Sequence, residues 1–464
     1  MSYLQGALAF IFILGAAVIL HEFGHFLIAK LLKIRVETFS FGFGPRLFGI
    51  KLGQTDYRVS LVPLGGYVKL GGDESNAPLE GQGATDIPPE EMFNLRPRWQ
   101  RIAVALAGPV MNILTALAIP MAGALMYGVP ATPAPVVSAV SKDGAAERAG
   151  LKPGDRIIAF NGVENPKWDT IRGDALLSPG QPIPVVVDRA GERIPLTITP
   201  TAQEEDGETA GFLDFIPDYG DLPVILREVE PNTPASEAGL QSRDRIIAVN
   251  GQSVHSAEQV TQYIREHKAK PITLTIERDG QRREVTAMAR SLPPDGRERL
   301  GIKPDEEIPL QRAGVATALG YAVDTNLEIL RLTGKAIGQV FSGQRSARNT
   351  LSGPIGIYNA ASNSVERLGW AGVFGMLGFL SLNLGIFNLL PIPVLDGGAI
   401  FLLLIEGLLA AIGLRLSMAV RERIQQVGFV VVILLMVFVI TNDVLKVFTR
   451  GSSGNKPAAT QPAK

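Results

Sequence analysis

The 464-residue chain contains no cysteine. A disulfide framework is therefore excluded, and any metal site has to be built from histidine, aspartate or glutamate. Histidine is scarce as well, with four in the whole chain, so few positions could supply imidazole ligands. No long basic run is present, and 44 Lys+Arg against 45 Asp+Glu leave a formal net charge of −1. This balance argues against a nucleic-acid partner.

Charge is absent from four long stretches. Residues 2–20 carry none, and the apolar run resumes through Ala29; residues 102–127, 368–395 and 424–442 follow. Each meets the ~18-residue length of a membrane-spanning helix. A cleaved signal peptide is the other reading of the first. It is disfavoured because no Lys or Arg precedes the stretch and because it exceeds the ~7–15 residues of a signal-peptide core. Residues 397–414 are apolar but short and interrupted by Glu406, as in a half-span or interfacial helix. Ten Lys and Arg residues lie between the first two spans, from Lys30 to Arg101, and Arg415, Arg421 and Arg423 precede the fourth. The positive-inside rule then expects both links in the cytoplasm, with both termini and residues 128–367 outside.

The outer region repeats itself. Residues 149–163 read AGLKPGDRIIAFNGV and residues 238–252 read AGLQSRDRIIAVNGQ, 89 positions apart. Alternating, strand-like segments follow each copy at 183–188 and 194–199, and at 272–278 and 283–289. A period this long means two copies of a small domain, and the Asn-Gly pairs at 161–162 and 250–251 mark turns between short strands. The run AGL-x-x-x-D-x-I-x-x-x-N-G resembles the PDZ domain, which binds extended peptide along a sheet edge. Bracing the protein is the competing role. Residues 310–341 have helical apolar spacing with interspersed charges, as in an amphipathic helix on the outer membrane surface or packed on the repeats, or equally a plain packed helix.

The chemistry is concentrated in His21-Glu22-Phe23-Gly24-His25, late in the first span. Residues four apart share a helix face, so both imidazoles can reach one metal, with Glu22 as proton acceptor from a metal-activated water. Gly24 leaves the helix surface open, where a substrate backbone could approach. Ionisable groups inside a membrane segment are functional by default. The remaining histidines, His255 and His267, fall in the second repeat and read as surface residues. The expected third ligand is Asp396, which closes the third apolar run. His21 lies ~27 Å into the first span at 1.5 Å per residue, and Asp396 ends the third span at the same inner depth. Pro391 and Pro393 prevent a regular helix there, and irregular backbone at that depth has to be buried in protein or line a wet cavity. Asn388 could bind a substrate backbone or another helix.

HEFGH at 21–25 and NLLPIPVLDGG at 388–398 closely resemble the site-2 protease family of intramembrane metalloproteases, in the bacterial form with two PDZ domains in its outer loop. The likeness extends to FGFGPRLF (41–48), YRVSLVPLGGYVKLGG (57–72), AGPVMN (107–112) and SGPIGI (352–357). It implies one catalytic zinc ion on His21, His25 and Asp396, with Glu22 as the base. It also implies that Asn388 contacts substrate and that the first link dips into the membrane as a β-hairpin; Pro391, Pro393 and Val68 are further candidate contacts. The expected fold is a polytopic α-helical membrane protein with about four transmembrane helices, a membrane-associated β-hairpin loop and two tandem PDZ (α+β) domains. Expected boundaries are 1–127 (two spans and the hairpin), 128–218 and 219–306 (PDZ-like domains), 307–367 (outer-face helical region), 368–450 (C-terminal spans) and 451–464 (a disordered tail). The implied substrates are membrane-spanning proteins in the lipid bilayer of the bacterial inner membrane: an anti-sigma factor already trimmed outside, and leftover signal peptides. One departure is Ala399, where many relatives carry histidine. An inactive PDZ scaffold would need neither HExxH nor LDG, and a zinc transporter would need polar ligands at several depths.

Overall fold

The computed structural model describes residues 3–73, 87–205, 208–218, 220, 224–254, 256–267, 270–292, 297–306, 310–347, 352–414 and 417–453. His255 and residues 454–464 of the expected tail lie outside this set. The chain divides into two compact units, residues 127–314 and the remainder.

In the larger unit, α1 (Tyr3–Leu31) leads into a hairpin of β1 (Val36–Leu52) and β2 (Thr55–Leu70), followed by α2 (Arg98–Tyr127). After the smaller unit come α3 (Val315–Phe341), α4 (Pro354–Asn388), α5 (Asp396–Ala411) and α6 (Met418–Ser453). Among the described residues, four segments are long and apolar enough to cross a membrane, namely Leu4–Leu31, Arg98–Tyr127, Pro354–Asn388 and Arg423–Lys446. At 16 residues, α5 is too short.

The third span is more broken than its sequence suggests. Gly369 adopts φ 59° and ψ −137° inside α4, a conformation that side chains exclude. The chain doubles back there, so tightly that a Cβ on Gly372 would sit 2.2 Å from the Ser364 carbonyl oxygen. Only the leg after Gly369 matches the apolar run, and it stops at Asn388, not at 395. Asp396 therefore does not close the third span; it is the first residue of α5. Pro391 and Pro393 are the cause, since neither can donate a helical hydrogen bond. Between them and Asp396, Val394 is held at φ 90°, a strained state for a β-branched residue.

The hairpin is folded twice. Residues 36–41 of β1 pair on one side with 66–70 of β2 and on the other with 56–59, while 46–52 pair back on 55–60. The two expected strands at 57–62 and 66–70 are thus parts of one 16-residue strand, and Gly66–Leu70 forms an outer edge. Ile34, Val36, Val68 and Leu70 pack its base against Ala29 of α1 and Val104 of α2. Its far end exposes Leu47, Phe48, Ile50, Leu61 and Val62.

The amphipathic stretch after the repeats is helical only from Val315; Leu310–Gln311 pair with Val129–Pro130. Of the readings expected for it, the plain packed helix matches the contact it makes within its own unit, where buried Asn326 donates to the Ala116 carbonyl of α2 at 3.0 Å.

In the smaller unit, two six-stranded sheets have matching strand orders, each with its own hydrophobic core. The signature aspartates explain their recurrence. Arg189 donates to Asp155 at 2.7 Å and to the Gly150 carbonyl at 2.8 Å, and Arg278 treats Asp244 and Gly239 in the same way at 2.6 and 2.8 Å. Each pair clamps the AGL turn to a strand 34 residues further on. Asn161-Gly162 and Asn250-Gly251 all have positive φ, as two-residue hairpin turns require.

Candidate active site

One helical turn separates His21 from His25 on α1, and their Nε2 atoms are 3.2 Å apart. Asp396, at the start of α5, brings Oδ2 to 3.0 Å from His21 Nε2 and Oδ1 to 3.5 Å from His25 Nε2. A four-coordinate zinc with bonds of ~2.0–2.1 Å holds its ligand atoms ~3.3–3.4 Å apart. The three observed separations bracket that value. These residues form a group able to hold a metal ion.

The outer faces of the rings tell the same story. His25 Nδ1 lies 2.7 Å from the Val104 carbonyl oxygen, which can only accept, so Nδ1 carries the proton and Nε2 is left for a metal. His21 Nδ1 lies 3.2 Å from the carboxamide of Asn112. Asn112 is fully buried, and its Oδ1 has no hydrogen-bond partner. Turning the amide over, a choice set by hydrogen bonding, lets Oδ1 accept from His21 Nδ1–H. The orphaned oxygen thus fits a His21 that binds metal through Nε2. Asn112→Ala is expected to weaken zinc binding ~10–100-fold, the usual effect of losing an outer-shell partner. Zinc occupancy against a buffered free-metal series checks this, and an unchanged affinity would show that the amide does not hold the ring.

Close approach of α1 and α2 is what the glycines provide. A Cβ on Gly24 would sit 2.2 Å from the Ala107 carbonyl oxygen, and one on Gly108 would sit 2.4 Å from His25 Nε2. Gly24 therefore admits a helix, not a substrate, which corrects the expectation for that residue. Glu22 points toward the hairpin edge. Its Cγ is 3.7 Å from where a Gly66 Cβ would lie, and its charged and polar surroundings are His25, His21, Asp396 and the Val68 backbone. Asn388, at the end of α4, places Nδ2 3.5 Å from His21 Nε2. Pro393 is turned toward α6, packing where Gly428 leaves room for it, while Pro391 is exposed. His267 stacks on Tyr263 in the smaller unit.

Sequence reasoning missed Asn112, although it lies in the quoted run 107–112. A lone carboxamide in the apolar second span was the available signal. It also passed over Asn383, whose carboxamide is exposed on α4 and donates to the Phe379 carbonyl.

Two histidines on one helix, an aspartate from another and a glutamate beside them, set among apolar helices of spanning length, make a group that could hold a metal ion, as a membrane metalloprotease requires. A family model described as Peptidase family M50 matches residues 9–435, and the chain belongs to that family, as a site-2 type zinc metalloprotease. It is 34% identical over 463 residues to the regulator of sigma-E protease RseP of Escherichia coli (strain K12), covering 96% of this chain and 99% of that one. A putative zinc metalloprotease of Vibrio cholerae is 33% identical, with 96% and 98% covered. Among solved structures, the PDZ domain of an SdrC-like protein from Listeria monocytogenes is 18% identical with a TM-score of 0.17, covering 18% of this chain and 85% of that domain.

Proposed function

We propose that the protein is an intramembrane endopeptidase that cuts single-span membrane proteins within or near their membrane segment. The juxtaposition of His21, His25 and Asp396 with Glu22 beside the Gly66–Leu70 strand carries this reading. His21, His25 and Asp396 would hold one zinc ion, which when bound would supply Lewis acidity and lower the pKa of a water ligand toward neutrality. Glu22 takes the proton from the attacking water and returns it to the leaving amine. Asn388 holds the substrate backbone beside His21. Because peptide bonds in a helix are shielded by its turns, the substrate has to unwind first, and Gly66–Leu70, with Val68 at its centre, offers the unwound segment a strand partner. Pro391 and Pro393 fix the irregular turn that carries Asp396 to the metal.

The basic links favour a centre near the cytoplasmic face of the inner membrane, with both termini and the repeats on the periplasmic side. A reporter active only in the periplasm, fused within residues 128–304, reads that side directly. The two repeats act as PDZ domains that admit short outer stubs and hold back large folded ones. The physiological substrates are then an anti-sigma factor after a first outer cut, and leftover signal peptides. Replacing residues 128–304 by a flexible linker is expected to leave cleavage of a trimmed substrate largely intact and to permit cutting of the untrimmed one. If the deletion variant keeps zinc yet still cuts only trimmed substrate, the gate is not in the repeats.

A further inference from the structure

At the N-terminal end of α2, three guanidinium groups converge from two helices over a third. Arg98 lies across α5, with Cδ 4.0 Å from where a Gly407 Cβ would be. Arg101, one turn further along α2, rests over the Phe93 ring at 5.6 Å, and its Nε is buried with no hydrogen-bond partner. The charged groups around it are Arg421 of α6, Glu406 of α5, Asp73 and Arg98. Arg421 meets Glu406 at 3.5 Å, so two carboxylates face three guanidiniums. Beside them Trp99 is 62% exposed, as expected of an indole at the headgroup level of a bilayer.

A general excess of positive charge on the inner side would place these cations apart in water. Here they are drawn together between helices, a guanidinium nitrogen lacks an acceptor, and the planar donors of arginine match the oxygens of a phosphate. We propose that the inner ends of α2, α5 and α6 bind the phosphate of an acidic phospholipid headgroup through Arg98, Arg101 and Arg421. Basic pockets between transmembrane helices on the cytoplasmic side suit such headgroups. Arg101 is three residues from Val104, about 4.5 Å along the helix, so the lipid sits just below the level of the histidines. It would tie α5, which begins with Asp396, to α2, which carries the ring partners of His21 and His25. This site is independent of the catalytic reading.

Native mass spectrometry of the full-length chain, loaded with equal amounts of phosphatidylglycerol and phosphatidylethanolamine, tests the proposal. Retention of phosphatidylglycerol in preference by a factor on the order of 100 is expected from three arginines at ~1 kcal/mol each. Arg101→Gln should bring the ratio toward parity with zinc content unchanged. Should that variant fail to fold, the exposed Arg98→Gln alone should lower the ratio about fivefold. Equal retention of both lipids by the unaltered chain, or an unchanged ratio in the folded variants, would overturn the proposal. Displacement of the lipid by inorganic phosphate would do so too, because it would make the pocket a small-anion site.

Discussion

Glu22→Gln is expected to keep its zinc and to lose at least ~10²–10⁴ of its cleavage rate. The three ligand atoms belong to other residues, and glutamine occupies nearly the same volume on α1. On the proposed mechanism, what disappears is the carboxylate that would accept the proton of the attacking water and the negative charge that would stabilise its transfer. Glu22 faces the hairpin edge as well as the histidines, so a substrate strand on that edge brings its scissile bond to the base. Zinc content by mass spectrometry together with initial rates on a single-span substrate decides the matter. Near-normal cleavage with zinc bound would remove Glu22 from the base role.

Asp396→Ala is expected to lose both zinc and activity. With the aspartate gone, two histidines remain, and the loss in metal affinity should exceed the ~10–100-fold drop that follows removal of an outer-shell partner. Asn388→Ala is the contrasting variant: its amide is 3.5 Å from His21 Nε2 but belongs to no ligand pair, so cleavage should fall with zinc retained. Normal zinc in Asp396→Ala would require another ligand. Glu406, the next carboxylate on the same helix, is already engaged by Arg421 at 3.5 Å, which makes it a poor substitute.

The parts of the site legible in the sequence are those set by local periodicity. A four-residue spacing on a helix puts His21 and His25 on one face whatever surrounds them, and charge-free runs of spanning length announce four membrane segments. Asp396 was reachable by depth, because a chain crossing a bilayer of fixed thickness must bring the ends of two like-directed spans to one level. Its element was not: the two prolines end α4 early, and the aspartate opens the next helix. What stayed hidden depends on packing between distant segments. Nothing local says that Gly24 and Gly108 are small so that α1 and α2 can touch, or that Asn112 turns toward a histidine 91 residues away. The hairpin shows a similar limit. Strand propensity marked 57–62 and 66–70, but the threading of residues 36–41 between two parts of β2, which makes 66–70 an edge, follows from pairing register alone.

The central claim is that a peptide bond inside a membrane segment is hydrolysed at this metal centre. The most direct measurement reconstitutes the purified chain in vesicles with a single-span substrate and identifies the product masses before chelation, after it, and after zinc is restored. Two fragments are expected, with a junction within or beside the apolar segment of the substrate, lost on chelation and regained with zinc. Cleavage that persists without metal, or a junction confined to the water-exposed part of the substrate, would contradict it.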